Sequence, residues 1–167
     1  MIKLGKTPYH KDDWFKIYGD PRDLMSDGAS VDWTIKNLEF FPSPFPMVLS
    51  WDLDREITYL YMHKVIGPSV IDALEEVEQE LGREYIMEND MNQWGGCFNF
   101  RPQRGDSGRI SAHAFAAAVD INPHLGPYRM ESHMPIEIAN AFKKRGFIWG
   151  GDWLPPDGMH MQAGKGL

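Results

Sequence analysis

The chain has 167 residues, the size of one ordinary domain, and a globular chain of that length buries roughly 70% of the surface its unfolded form exposes, so it needs neither disulfide nor metal merely to supply a core. A composition that is 43% hydrophobic, 13% aromatic and 25% charged excludes disorder. Seventeen Lys and Arg against 24 Asp and Glu give a formal charge of -7, which lacks the electrostatic footprint of a non-specific binder and makes nucleic acid an unexpected partner.

The N-terminal stretch MIKLGKTPYHKDDWFKIYGDP holds no apolar run of signal-peptide length, and nowhere do about 18 apolar residues follow one another. The expectation is a chain made in the cytoplasm without stable membrane insertion. Residues 1–60 are punctuated by YGDPRD, SDGAS and FFPSPFPMVLSWD, and PSPFP does not suit a helix interior. They read as an irregular N-terminal wrap with short strands, packed on a core over 65–164 within a single 1–167 domain. From Pro68, PSVIDALEEVEQELG spaces Val70, Ile71, Leu74, Val77 and Leu81 at three- and four-residue intervals and stops at Gly82, which predicts an amphipathic helix with a solvated acidic face. GCFNFRP and AAAVDINP read as short strands. PIEIANAFKKRG predicts a second helix: Pro135 suits its first turn, Ile138, Ala139 and Phe142 share a face, and Lys143, Lys144 and Arg145 complement its C-terminal dipole. GFIWGGDW reads as a strand entering a Gly-Gly turn. Helices and mostly antiparallel strands in segregated runs predict an α+β fold, a small sheet with flanking helices. The sequence sets no oligomeric state.

Cys97 is the only cysteine, so an intramolecular disulfide and a Cys-based zinc finger are both excluded, and a zinc site must use His and carboxylates. Two His and one carboxylate, with a fourth position left for water, is the usual inventory of such a site, and His113, Asp120 and His160 supply it. Ala114, Ala116, Ala117 and Ala118 are small enough to let the bridge between the first two fold back, while Val119 and Ile121 flank Asp120 as the buried face of a strand would. On spacing alone the pair also suits a plain core or helix-surface histidine and an Asx turn at Asp120, Asn122 and Pro123. The C-terminal stretch GFIWGGDWLPPDGMHMQ tips the balance. It gathers Trp149, Trp153, the Gly150-Gly151 pair, Asp152, Asp157 and His160 in the manner of a loop lining a cleft. Asp157, three residues before His160, is close enough to serve as a general base without being a ligand. His10, His63, His124 and His133 read as structural or exposed, and the RGD tripeptide at 104–106 is a short match with no supporting context.

Together, Ser111, His113 and Asp120, followed by GFIWGGDW and then Asp157 and His160, resemble the zinc peptidases of the VanY and L-alanyl-D-glutamate peptidase family. The wider grouping includes lysostaphin, the D-Ala-D-Ala metallopeptidases and hedgehog. The resemblance covers about residues 65–164. It implies a hedgehog/D-Ala-D-Ala-peptidase-like fold, Zn2+ held by His113, Asp120 and His160, and Asp157 as the catalytic base. It also implies Arg101 facing the scissile carbonyl and Ser111 near the substrate. Arg101 suits its role independently, because a cation that never deprotonates can stabilise a developing oxyanion. Trp149, Trp153 and Phe115 would wall the cleft. In one respect the chain departs from the pattern: Ala116 stands three residues after the first zinc histidine, where such enzymes often carry glycine. Alanine there must either use an ordinary backbone region or tolerate strain.

The activity so implied is hydrolysis of a peptide bond in bacterial peptidoglycan, with the stem peptide as partner. WGGDW resembles the L-alanyl-D-glutamate endopeptidases, including phage endolysins that reach the wall through membrane lesions, more than the D-alanyl-D-alanine carboxypeptidases. A non-catalytic zinc-stabilised virion or wall-binding module is the reading from another class. Asp157 argues against it, since a structural site has no use for a spare base.

Overall fold

Two short helices, α1 (Lys11–Tyr18) and α2 (Val31–Asn37), lead into a long hairpin of β1 (Leu38–Leu49) and β2 (Asp52–His63). Helices α3 (Gly67–Leu81) and α4 (Arg83–Glu88) follow, then β3 (Gln93–Gly96) and a small separate hairpin of β4 (Pro102–Gln103) and β5 (Asp106–Ile110). The chain ends with β6 (Ala118–Ile121), α5 (Ile136–Lys144), β7 (Ile148–Trp149) and β8 (His160–Gln162). The computed structural model describes residues 1–103, 106–165 and 167. The RGD tripeptide at 104–106 begins outside the described residues. Six strands form one sheet in the order β2-β1-β3-β6-β8-β7. Among the described residues only the β1–β3 pairing is parallel. The class is α+β, and no described helix is long and apolar enough to cross a membrane.

Both predicted helices form. Helix α3 buries Val70, Leu74 and Val77, and α5 buries Ile138, Ala139 and Phe142. Pro135 stands as the residue before the first turn of α5 rather than inside it. The N-terminal region differs from the expected irregular wrap with short strands, because residues 38–63 build two twelve-residue strands. The prolines of PSPFP are accommodated because β1 meets β3 only at Val48 and Leu49, so the proline stretch has a paired neighbour on one side only. On that side the ladder with β2 breaks its register between Pro42 and Met47. Proline is tolerated at such edges and bulges, where its missing N–H is not needed. The strand expected at GCFNFRP lies just upstream instead, in β3. Gly96 takes φ 106, a conformation that favours glycine, and turns the chain out of the sheet.

Helix α1 fastens the N-terminus to the C-terminal half. Trp14 and Tyr18 are buried and pack on Phe115 with ring centroids 5.4 and 6.4 Å away. Trp14 Nε1 donates to the Lys165 carbonyl and Tyr18 Oη to that of Ala163, each at 2.8 Å. Phe115 is therefore core and not cleft wall, contrary to expectation; the aromatic side chains of α1 enclose it. His63 is a buried structural histidine. Its Nε2 lies 3.1 Å from the Tyr18 carbonyl, and burial pushes its pKa down to about 4.

The α3–α5 contact is closed by an ion network around Arg145, which is 2% exposed. Its guanidinium meets Asp72 at 2.7 Å and Glu76 at 2.8 Å, and also donates to the carbonyls of Ala141 and Asp72. Burial pushes the Asp72 carboxyl up, but hydrogen bonds from the Ile2 N–H and Arg145 outweigh it and lower its pKa. Lys144 and Arg145 lower that of Glu76. Depressed carboxylate pKa values contribute stability that is full above the ordinary values of 3.8 and 4.5 and is lost as pH falls through the lowered ones. Replacing Arg145 by Met is expected to cost about 2 kcal/mol at neutral pH, because it strands two partly buried carboxylates. The deficit should shrink toward zero as those carboxylates protonate, which urea unfolding at neutral and acid pH would measure.

Candidate metal centre

Strands β6 and β8 pair antiparallel with Asp120 directly opposite His160. Opposed residues share a face, so the register alone brings carboxylate and imidazole together. Val119 and Ile121, on the other face, are buried, as alternation requires. Gly96 of β3 opposes Asp120 on its other side and leaves that row open. His113 comes from a single 3-10 turn, Ala112–Phe115, which Ser111 caps by accepting from the His113 N–H at 3.3 Å. The chain then reverses into β6 at Ala116, which lies in the left-handed region with φ 49 and ψ 36. Alanine thus makes the turn in the conformation glycine would use, at a cost of roughly 1 kcal/mol. The conformation is held from outside: the Ala116 carbonyl accepts from the His63 N–H at 3.2 Å and from Cys97 Sγ at 3.3 Å.

The three side-chain atoms form a tight triangle. His113 Nε2 lies 3.1 Å from His160 Nδ1 and 3.3 Å from Asp120 Oδ1, and His160 Nδ1 lies 3.0 Å from that same oxygen. The hydrogen bonds behind them fix which atoms carry lone pairs. His113 Nδ1 donates to the Cys97 carbonyl at 2.8 Å, so Nε2 is its free acceptor. His160 Nε2 faces Gln162 Oε1 at 3.0 Å, and the Gln162 amide is oriented by donating to the Gly164 carbonyl at 2.5 Å. The lone pair of His160 is therefore on Nδ1. Three acceptors aimed at one point repel one another unless a cation lies among them. A tetrahedral ion with bonds of about 2.0–2.1 Å sets neighbouring donors about 3.3–3.4 Å apart, close to this triangle. The donor set suits zinc. Without an ion, a proton within the triangle takes its place: burial pushes the Asp120 carboxyl up, but hydrogen bonds shared with His113 and His160 prevail and hold it well below the carboxylate range. Burial likewise pulls the His160 imidazole down, yet Asp120, Gln162 and the charge of Asp157 raise its pKa.

The other residues singled out by sequence surround this triangle. A cavity of about 410 Å3 is lined by Arg101, Ser111, His113, Asp120, Tyr128, Trp153, Asp157 and His160 among others. Asp157 reaches it through a tight loop: its N–H donates to the Gly150 carbonyl at 2.9 Å, and its own carbonyl accepts from the His160 N–H at 3.1 Å. A Cβ on Gly150 would come within 2.4 Å of the Asp157 carbonyl oxygen and 3.2 Å of His160 Cβ, so only glycine permits that turn. Trp153 tilts over the His160 ring at 5.3 Å. Trp149 does not line the cavity and instead holds the loop, donating from Nε1 to the Gly158 carbonyl at 2.7 Å. A second cavity, of about 340 Å3, shares Arg101, His113 and Asp120 and runs under Trp51, Gly95 and Gly96. Exposed His124 is not in the ligand set.

Sequence reasoning missed three contributors. Gln162 was legible in principle, since residues two apart on a strand share a face and it follows His160 by two. The Cys97 carbonyl carries no side-chain signal, and Trp51 lies far away in sequence.

A buried His-Asp-His acceptor triangle beside a carboxylate, in a cleft, defines the type of site found in metal-dependent hydrolases. Residues 104–163 match the family model described as D-alanyl-D-alanine carboxypeptidase, which supports a peptidase related to peptidoglycan. The matched stretch contains the three acceptors and Asp157 but neither Arg101 nor Trp51. Comparisons with curated proteins and with solved structures return no match.

Gln162→Leu is expected to weaken metal binding by about 10- to 100-fold, because His160 loses the partner that fixes its tautomer. A chelator-competition titration measures this, with unchanged circular dichroism as the control. Ala116→Gly is expected to raise the unfolding free energy by about 0.5–1 kcal/mol by relieving the left-handed alanine, read from denaturant midpoints.

Proposed function

We propose that the protein is a zinc-dependent peptidase that cuts the peptidoglycan stem peptide, and specifically an L-alanyl-D-glutamate endopeptidase. We propose with it a hedgehog/D-Ala-D-Ala-peptidase-like arrangement of the sheet around the site. The observation that carries the reading is the two-sided cleft, since cavities extend from the acceptor triangle in two directions and share Arg101, His113 and Asp120. An endopeptidase needs room on both sides of the scissile bond. A carboxypeptidase needs the cleft closed within about one residue by a cation for the terminal carboxylate. The description of the matched family favours that second reading, D-alanyl-D-alanine carboxypeptidase, with Arg101 as the cation.

His113, Asp120 and His160 would hold the zinc, whose Lewis acidity makes water acidic enough to attack near neutral pH and polarises the scissile carbonyl. Asp157 takes the proton of the attacking water and passes it to the leaving amine. Arg101 lines both arms, so its guanidinium can meet the developing oxyanion. Trp153 covers the His160 side and limits the access of bulk water. Ser111 acts by holding the turn that presents His113.

The defining experiment is digestion of purified peptidoglycan by the zinc-loaded protein with mass spectrometry of the products. New N-terminal D-Glu is the expected outcome, free D-Ala would establish the carboxypeptidase, and no released amine from any wall type would leave the binding-module reading standing. Asp157→Asn is expected to lower kcat by about 10^2- to 10^4-fold while zinc content, measured by atomic absorption, stays at the wild-type level.

A further inference from the structure

The turn between β1 and β2 carries Trp51, an indole 67% exposed at the tip of a long hairpin. That tip is fixed. The Val48 N–H donates to the Asn92 carbonyl at 2.9 Å and the Ser50 N–H to the Trp94 carbonyl at 3.0 Å, which pins the hairpin end to β3. The indole consequently stands beside the bare backbone of Gly95 and Gly96. A Cβ on Gly96 would lie 3.8 Å from the ring, and Gly96 holds φ 106, where other residues are strained. Trp51 and the two glycines thus form a wall and a smooth floor for the second cavity. Gly95 is fixed as glycine for another reason, because a Cβ there would fall 2.8 Å from Asp120 Cβ.

The two arms of the cleft differ in chemistry. The residues that the Trp51 arm does not share with the first cavity are all uncharged, and exposed Asn99 adds an amide donor and acceptor. Asp157 lines the other arm only. That arm shares Leu167 with a further cavity of about 650 Å3 lined by Lys11, Arg22 and Arg109, where Arg22 is paired with Asp20 and Arg109 donates to the Leu167 carbonyl oxygen. In the stem peptide the half beyond the alanyl-glutamyl bond carries carboxylates, for which the uncharged residues particular to the Trp51 arm offer no ionic partner. The half before it is an uncharged alanine joined through a lactyl amide to a sugar. Proton delivery gives the same orientation. A base that returns its proton to the leaving amine must lie on the amine side, and Asp157 is absent from the Trp51 arm.

Resting on the endopeptidase reading above, we infer that the Trp51 arm is the subsite for the acyl half of the substrate, with the indole stacking on the muramyl sugar. A pyranose offers a face of weakly positive C–H groups to the negative face of an aromatic ring. The glycine floor leaves space for the ring, and Asn99 can meet its acetamido and hydroxyl groups. The hairpin, which lies outside the stretch matched to a peptidase family, thereby belongs to the substrate site.

The test compares two substrates that share one stem peptide, the first bearing N-acetylmuramic acid and the second an acetyl cap. For Trp51→Ala the ratio of kcat/KM on the muramyl peptide to that on the acetyl-capped peptide should fall about tenfold, chiefly through the muramyl KM, at wild-type metal content. Trp51→Phe should recover most of the loss. Equal effects on the two substrates, or none, would overturn the inference. If wild-type protein cleaves neither peptide, the endopeptidase reading fails, and the subsite is then judged by binding alone. N-acetylmuramyl-L-alanine added to the zinc-loaded protein should shift the Trp51 indole N–H resonance, identified by its loss in Trp51→Phe. An unmoved resonance at millimolar ligand overturns the subsite.

Discussion

Three acceptor atoms within 3.0–3.3 Å of one another are the constraint around which this half of the molecule is organised. Left to themselves they repel, so something else must hold them in place. The β6–β8 register supplies two of them, and a capped 3-10 turn supplies the third. Behind each histidine a fixed acceptor, the Cys97 carbonyl or the Gln162 amide oxygen, keeps the lone pair aimed inward. The left-handed alanine at 116 belongs to the same bargain. Its strain is offset by two donors to its carbonyl, and in return the chain reverses sharply enough for His113 to meet Asp120.

Much of this was legible in the residues, and the reason is physical. His113, Asp120 and His160 stand out because imidazole and carboxylate are the zinc donors left to a chain with one cysteine, and the structure brings all three together. Helices α3 and α5 were legible because their apolar faces repeat at helical spacing and their ends carry stop signals. Phe115 was misjudged because a buried aromatic and a cleft aromatic look alike in sequence; what separates them is whether another element covers the ring, and α1 does so from a hundred residues away.

The hairpin was hidden by a different effect. Proline argues against a strand only where both neighbours need its N–H. Strand β1 evades the rule by pairing with β3 at Val48 and Leu49 alone, and that fact resides in the tertiary arrangement. Trp51 inherits the same invisibility. An exposed tryptophan in a turn has no local signature of function; its meaning comes from the glycine pair of β3 that it stands beside, more than forty residues later in the chain.

The division of labour follows from the tolerances involved. Atoms that share an ion must be placed to a few tenths of an ångström, which hydrogen-bonded strand register and a capped turn can achieve, so the acceptors and Asp157 come from one stretch of chain near β6 and β8. Recognition of a flat sugar or a flexible peptide tolerates larger displacements, and a hairpin tip anchored by two backbone hydrogen bonds is rigid enough for it. Arg101 falls between these regimes. It sits where both arms meet, on the loop between β3 and β4, and a guanidinium on a long side chain can follow a charge that moves as the carbonyl becomes tetrahedral. In the proposed reaction a cation placed there would discriminate little between the two halves of the substrate, so the choice of bond would come from what the arms contain: a neutral aromatic wall on one side, and the Asp157 carboxylate on the other.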